Sequence, residues 1–550
     1  MKRHYDMVLL SQQTGVDAIL ANQIKDLDSI DCGGFADHDK LVHPGRSAEN
    51  LLYLTALYCN ADSSLYRDNT IFTNILRALA YLERIQRADG TYDLIVTNFN
   101  SSPDTGFIIQ NLAYVYQLAK KYSVGDETDI IKQRLFDIIY RGAHGMTRGG
   151  FHTPNHRWVI ASALMMAFNI TGEGFFRDAA NTYLREGIDC DENGEFTERS
   201  SGIYNATNDH ALIILSQETG RVDFLEYVKR NLDMMFTYIE PDGTVFTANS
   251  TRQDKAGATG NDVFYPYPYY PLYLYMAWKK SDCRYAGMAN SIFNQACSNG
   301  QIPSLVYFFM LHPELKDFHL ASAPIPDVYN KFFKQSGIVR VRNGKTSYTL
   351  LKNNSRFLFY QNGSLRCYMK LCASFFASAQ FKAEDIIKTE TGYKLSFSTQ
   401  GSYRLPLDKP PTSPDWSNMD HASRKKVNIM ELRLTVEVVD TAGTLHVHIT
   451  SEGCDRVPVK VEVCFTADST AEGDSFFING AAGGSIIVKS GYTVVKKGTD
   501  KICVGPGFAE HVYAPQMRGS EPQSTSEFTI YFSDFTPLNR ELLLSSHFFG

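Results

Sequence analysis

Residues 148–158 read Arg-Gly-Gly-Phe-His-Thr-Pro-Asn-His-Arg-Trp. An amide (Asn155), an imidazole (His156) and a guanidinium (Arg157) stand in a row, directly after Pro154 and directly before the apolar run VIASALMMAF. A helix start needs one capping side chain. Three adjacent polar heads, with Arg148 and His152 just ahead of them, exceed that need, and each can donate to an anion. About fifty residues on, GEFTERSSGIYNATNDH supplies Glu198, Ser200, Tyr204, Asn205, Asn208 and His210. Two further loops add Asn98 and Asn100 (TNFNSSPDTGF) and Asn249 and Arg252, followed by Tyr265, Tyr267, Tyr269 and Tyr270 in FYPYPYY. The collection is rich in Asn, His, Arg and Tyr. Its acids are few: Asp104, Glu198 and Asp209.

That bias selects among reactions. Glycoside hydrolysis needs two carboxyl groups flanking the bond. Elimination at a uronic acid needs something else. Removing the C5 proton builds negative charge on the neighbouring carboxylate, which amide, imidazole or guanidinium donors must neutralise. A base takes that proton and an acid protonates the leaving oxygen, roles open to Tyr or His. A tyrosine used as base works best with a cation beside it.

The elements that position these residues fall into two textures. From about residue 10 to 315, segments such as IFTNILRALAYLERIQ and HRWVIASALMMAFNIT repeat apolar residues at helical spacing. From about 335, strands alternate, and Asn343-Gly344 and Asn362-Gly363 sit where hairpins turn. In the helical half a glycine turn recurs, at Gly34-Phe35, Asp89-Gly90-Thr91-Tyr92, Gly149-Gly150-Phe151, Asn193-Gly194-Glu195-Phe196 and Asp242-Gly243-Thr244-Val245-Phe246. The steps suit helical hairpins with corresponding loops gathered at one mouth. The expected architecture is a multidomain α-then-β chain: an (α/α) toroid (an incomplete helical-hairpin barrel) over 1–315, a proline-bearing linker over 316–334, and an antiparallel β-sandwich over 335–550.

Composition excludes several classes. Charged residues make up 21% and hydrophobic ones 43%, as in ordinary soluble proteins, and the net charge of -6 comes with no dense Lys/Arg run, so no nucleic-acid partner is expected. Aromatics reach 13%, which suits a sugar-stacking cleft as well as a β-core. No apolar run is long enough for a membrane span, and the opening MKRHYDMVLLSQQTGVDAIL lacks a signal-peptide core. The ten cysteines form no CxxC. These features lead to the expectation of a cytoplasmic protein, or a secreted one whose leader has been removed. Oligomeric state is left open. No G-x-S-x-G or phosphate loop occurs.

An Asn-His pair opening a helix, followed by a Tyr in a Gly-Glu-Phe-Thr-Glu loop about fifty residues on, resembles the heparinase II/III-like polysaccharide lyases and the related toroid alginate lyases. The resemblance implies a helical toroid followed by a β-sandwich over nearly the whole chain. It implies that Asn155 and His156 grip a uronate carboxylate while Tyr204 exchanges protons, with no cofactor required and an acidic polysaccharide or oligosaccharide as partner. Beside the resemblance, the gathering of the loops at one mouth puts His210 and Arg252 among the catalytic candidates, and Asn98, Asn100, Arg148, Arg157, Glu198, Asn208 and Tyr265 along the substrate. Many family members add a β-domain histidine; the comparable stretch here, RFLFYQNGSLRCYMKLCASFF, has none. Either Tyr204 serves as both base and acid, or His210 or Arg252 replaces the missing group. Some relatives carry a structural metal in the β-domain; His446 and His448, Asp37 to His43, and Asp420 with His421 offer partial ligand sets, and no metal is assigned to them.

Two alternatives stay open from sequence: a toroid glycoside hydrolase acting through Glu198 and Asp209, and a glycan-binding protein without catalysis. Taken singly, Asn155 also fits a helix N-cap, His156 a structural histidine, and Asn208 and His210 helix packing.

Overall fold

The computed structural model describes residues 1–255 and 263–547. The chain divides into two units, one holding Met1–Ile239 and Gly243–Ile325, the other Glu240–Asp242 and Pro326–Gly550.

The first unit is helical: α1 (Lys2–Ala21), α2 (Pro44–Cys59), α3 (Asn69–Ile85), α4 (Ser102–Lys121), α5 (Asp126–Arg148), α6 (Pro154–Thr171), α7 (Gly174–Leu184), α8 (Tyr204–Thr219), α9 (Phe224–Met235), α10 (Tyr270–Lys280), α11 (Cys283–Ser298) and α12 (Val306–Leu311). Two rings follow from the packing. Helices α2, α4, α6 and α8 each contact the next, while α3, α5, α7 and α9 each pack on the inner helix before them. Helix α12 lies against α1, α2 and α4. Sequence explains the layering. Helix α6 is apolar almost all round and buried over nearly its whole length, as an inner helix must be; α3 and α9 bury one stripe and solvate the other.

The recurrent glycine turn has a common build. Gly33 (one residue ahead of the Gly34 that the sequence suggested), Gly90, Gly194 and Gly243 take φ between +80° and +91°. A side-chain amide grips the turn carbonyl three times: Gln23 on Gly33 (2.9 Å), Gln86 on Gly90 (2.8 Å) and Asn231 on Gly194 (2.7 Å). At Gly194 a Cβ would stand 2.1 Å from the Arg230 carbonyl oxygen of α9. Gly194→Ala is therefore expected to cost about 3 kcal/mol, from left-handed strain plus a backbone clash. Gly172→Ala, also left-handed but facing open space, should cost about 1 kcal/mol. Urea unfolding of the two variants checks the difference. The Gly149-Gly150 turn departs from the pattern: Gly149 has φ -96° and sits directly over Ser102 at the start of α4.

The second unit stacks two sheets. One runs Phe476–Gly480, Ser469–Gly473, Thr493–Lys497, Asp500–Gly505, Asn539–Ser545, Thr444–Gly453, Lys426–Thr441, Gly392–Arg404, Asp385–Lys388. The other runs Ser485–Ile487, Glu527–Phe535, Pro458–Thr466, Leu365–Ala373, Leu358–Asn362, Thr346–Leu351, Ile338–Asn343, Val328–Phe333, with Ala379–Gln380 beside Leu365–Ala373. Alternation builds the core between them: Leu432, Leu434, Val436 and Val438 point inward with Val459, Val461 and Val463 of the facing sheet. Hairpins turn at Gly344 and Gly363, where the Asn-Gly pairs place them. Two details differ from expectation. Val328–Phe333 already pairs with Ile338–Asn343, so sheet structure begins inside the stretch read as linker. Ser485–Ile487 pairs parallel to Glu527–Phe535, so the sandwich is not wholly antiparallel.

Candidate active site

Helix α6 starts with Pro154 in its first turn, and Thr153 is the N-cap residue without a side-chain capping bond. Asn155 is thus inside the helix and does not cap it. Its fully buried side chain reaches into the loop before α8, where Nδ2 donates to both oxygens of Glu198, at 3.0 and 2.8 Å. Among the described residues, the remaining contact of Nδ2 is Thr153 Oγ1 at 3.3 Å, and Oδ1 has no partner. Glu198 also takes the Asn155 backbone amide and faces Arg252 Nε at 3.3 Å. The Arg252 guanidinium lies 5.1 Å from the centre of the Tyr204 ring. Contacts therefore run unbroken from Asn155 through Glu198 and Arg252 to Tyr204.

His156 stands beside this chain, its ring 4.7 Å from that of His152 and 6.4 Å from Phe107. Its Nδ1 is buried and has no partner among the described residues. Burial, with smaller contributions from His152 and Arg252, lowers its pKa to about 4. At neutral pH, with no ligand beside it, it is an uncharged imidazole, able to offer one N–H and one lone pair. Titration of the His156 ring protons by NMR is expected to show a midpoint near pH 4, with no inflection between 6 and 7.

Two loops fix these groups. Thr251 N and Oγ1 both donate to the Glu198 carbonyl, at 3.2 and 2.9 Å. Asp254 accepts from Ser200 Oγ (2.9 Å), Gly202 N (2.8 Å) and Ser250 Oγ, and Ser200 Oγ in turn accepts the Tyr204 backbone amide at 3.0 Å. Asp254 is the positioning residue that sequence reading missed. Its signal was available: an acid four residues after Ser250, in the arm that carries Arg252.

Three of the inner helices, α4, α6 and α8, begin beside these loops. Ser102 of α4 lies beneath Gly149, Asn155 opens α6 against Glu198, and Tyr204 opens α8. Unpaired amides and helix dipoles make such a convergence favourable to anions. Among the described residues, Ser102 Oγ, Asn155 Oδ1, His156 Nδ1 and the side-chain amide of Asn205 are buried and unpartnered.

Other candidates lie elsewhere or are committed elsewhere. Asn98 donates to Asp104 (3.0 Å), and Asn100, at φ +49°, to Asp89 (2.8 Å). Arg148 ends α5, exposed. Arg157 pairs with Glu186 (3.0 Å) and Asp189 (3.4 Å) and stacks on Trp158, whose Nε1 also binds Asp189. The Arg-Trp half of the opening motif thus anchors α6 and does not reach the cluster. His210, two turns into α8, bonds the Tyr114 hydroxyl (3.0 Å), and burial holds its pKa at about 4. Asn208 is buried, its Oδ1 without a partner among the described residues. Asn249 donates to Tyr238 (3.0 Å). Tyr265 is partly exposed and stacks flat on Tyr267 at 5.1 Å, whereas Tyr269 and Tyr270 are core. Asp209 is fully buried with no partner among the described residues, and burial raises its pKa well above the ordinary aspartate value.

The metal candidates separate. His446 pairs with Glu541 (3.0 Å) and His448 with Asn539 (2.6 Å), while His421 binds the Trp416 carbonyl. Among the described residues, Asp37, His38 and Asp39 are the group close enough to share an ion, and two of the three are exposed. No helix of the described residues is long and apolar enough to cross a membrane.

With this geometry in place, comparison with known proteins adds the fold class. No family model matches the chain, and no curated protein does. Solved structures do resemble it: a Paenibacillus xanthan lyase (TM-score 0.61, 9% identity, 100% of this chain), the chondroitin AC lyase of Streptomyces coelicolor A3 in complex with chondroitin sulphate (0.56, 10%, 98%), and a mutant of the heparan sulfate lyase HepC from Pedobacter heparinus (0.55, 9%, 98%). The chain spans 57% of the xanthan lyase, 79% of the chondroitin lyase and 82% of the heparan sulfate lyase. The fold is the helical toroid followed by β-sandwich that polysaccharide lyases display.

Proposed function

We propose that this protein is a lyase that cleaves a uronic-acid linkage in an acidic polysaccharide or oligosaccharide by β-elimination. The observation that carries the reading is the contact chain Asn155–Glu198–Arg252–Tyr204, with uncharged His156 beside it, at converging helix N-termini. Asn155 and His156 donate to the uronate carboxylate and stabilise the charge that grows there as C5 loses its proton. Tyr204, its ring beside the Arg252 guanidinium, is the base that takes the C5 proton. The C4–O bond then breaks, the C4–C5 double bond forms, and the Tyr204 hydroxyl returns the proton to the leaving oxygen. Each group ends as it began, and no cofactor enters the cycle.

The hydrolase alternative fares worse on one specific point. Its second carboxyl, Asp209, is fully buried behind the helix surface among Cys190, Tyr269 and Tyr273. It cannot flank a glycosidic bond together with Glu198.

The test is incubation with hyaluronan, chondroitin, heparosan, alginate and glucuronan, followed by ultraviolet absorbance of the C4–C5 double bond. A rising signal on one of them supports the lyase and names its substrate class. New reducing ends without absorbance would turn the assignment to hydrolysis. Retention of any of the polymers with neither signal would turn it to a glycan binder.

A further inference from the structure

Glu198 occupies the place of the anion that Asn155 is proposed to bind. The Asn155 amide hydrogens are shared among the two Glu198 oxygens and Thr153 Oγ1, and the Arg252 guanidinium faces the same carboxylate. The Asn155 backbone amide, at the N-terminus of α6, meets it too. A uronate carboxylate arriving at Asn155 therefore finds its donors already committed to an internal carboxylate that is 3% exposed. Two carboxylates that share one buried donor set cannot both stay ionised.

We infer that seating of the uronate is coupled to protonation of Glu198: the protein takes up one proton as the acidic sugar binds, and the neutral Glu198 carboxyl releases Asn155 to the substrate. The inference rests on the lyase reading of this site and adds its pH control. The surroundings fit. Burial is the leading influence on Glu198 and raises its pKa, Asp189 adds to that, and Asn155 and Arg252 oppose it. The other charged or titratable groups around the cluster are His156 of α6, neutral above about pH 4, Asp104 of α4, Glu195 and Arg199 on the same loop, Asp254 on the Arg252 arm, and His152, whose ring faces His156. The sign follows from linkage. A carboxyl whose pKa rises further in the complex binds ligand best where it is protonated, and affinity falls as pH climbs through its pKa.

Binding to the full-length Tyr204→Phe protein, which is not expected to turn over, separates the steps. The probes are tetrasaccharides of hyaluronan, heparosan, glucuronan and alginate, each with its carboxyl methyl ester. Between about pH 5 and 8 the dissociation constant of the acidic form is expected to rise with a slope approaching about tenfold per pH unit at the alkaline end. The methyl ester should show no slope, and neither should the acidic probe on Tyr204→Phe/Glu198→Gln. The comparison is repeated on a His152→Gln background, where the slope should persist. Calorimetry in two buffers of different ionisation enthalpy, which needs no Glu198 variant, should show close to one proton taken up per acidic probe at about pH 7.5. A flat profile without proton uptake, or the same slope after Glu198→Gln, overturns the coupling and leaves the lyase reading standing. Failure of every acidic probe to bind at about pH 5 overturns the lyase reading and the coupling with it.

Discussion

Tyr204→Phe is expected to leave acidic-glycan binding near wild type and to lower kcat by at least about 10³-fold. The reason lies in how many steps depend on one hydroxyl. General acid–base groups contribute roughly 10²–10⁴ each, and Tyr204 is asked to act twice, at C5 and then at the leaving oxygen. The ring is kept by the substitution, so its contact with Arg252 and the packing at the start of α8 survive. Loss should therefore fall on kcat with KM little changed, the pattern of an interaction used only in the transition state. Paired measurements of the initial rate of double-bond absorbance and of binding by calorimetry check both halves. If the variant keeps more than about a tenth of the activity, another group moves the protons. His210 would be a poor successor, since it is bonded to Tyr114 with its pKa at about 4. Arg252 would then have to carry more than electrostatics.

The architecture was legible because it is written in periods. Helical spacing and its replacement by alternation separate the two halves, and Asn343-Gly344 and Asn362-Gly363 mark real hairpins. The glycine turns were legible too, since a left-handed turn docked on a neighbouring helix admits little else. The layering of inner and outer helices follows from apolar residues all round α6 against a single stripe on α3 and α9. What a sequence conceals is where a polar side chain spends its bonds. Arg157 stands next to His156 in the chain, yet about 100° of helical rotation sends it to Glu186 and Asp189. Asn100 looks like a cleft amide and closes its own turn on Asp89. Glu198 and Arg252, distant in sequence, meet only because Thr251 and Asp254 tie the later loop onto the earlier one. Such pairings are tertiary, and no local pattern encodes them.

Asn155→Ala should be nearly as damaging as loss of the tyrosine, for a different reason. In the proposed mechanism the amide donates where charge develops, and deleting one preorganised donor of this kind costs about 10²–10³ in kcat. In this protein the deletion also strands Glu198, a buried carboxyl that would keep Arg252 as a neighbour but lose both contacts from the Asn155 side chain. Its protonated form is then favoured more strongly, and the variant should lose activity without losing its fold. Asn155→Asp is the sharper experiment. It keeps the shape, replaces the donor by a second carboxyl against Glu198, and forces the pair to share a proton at neutral pH. Activity should fall at least as far as in Asn155→Ala, and what remains should grow as pH is lowered, because the introduced carboxyl regains a donor once it is protonated. Asn155→Ala has no such recovery. Rate profiles of the two variants from about pH 5 to 8 read the difference directly. Matching profiles would mean that Asn155 serves by filling space, and acid recovery in Asn155→Asp alone would mean that it serves by donating to an anion.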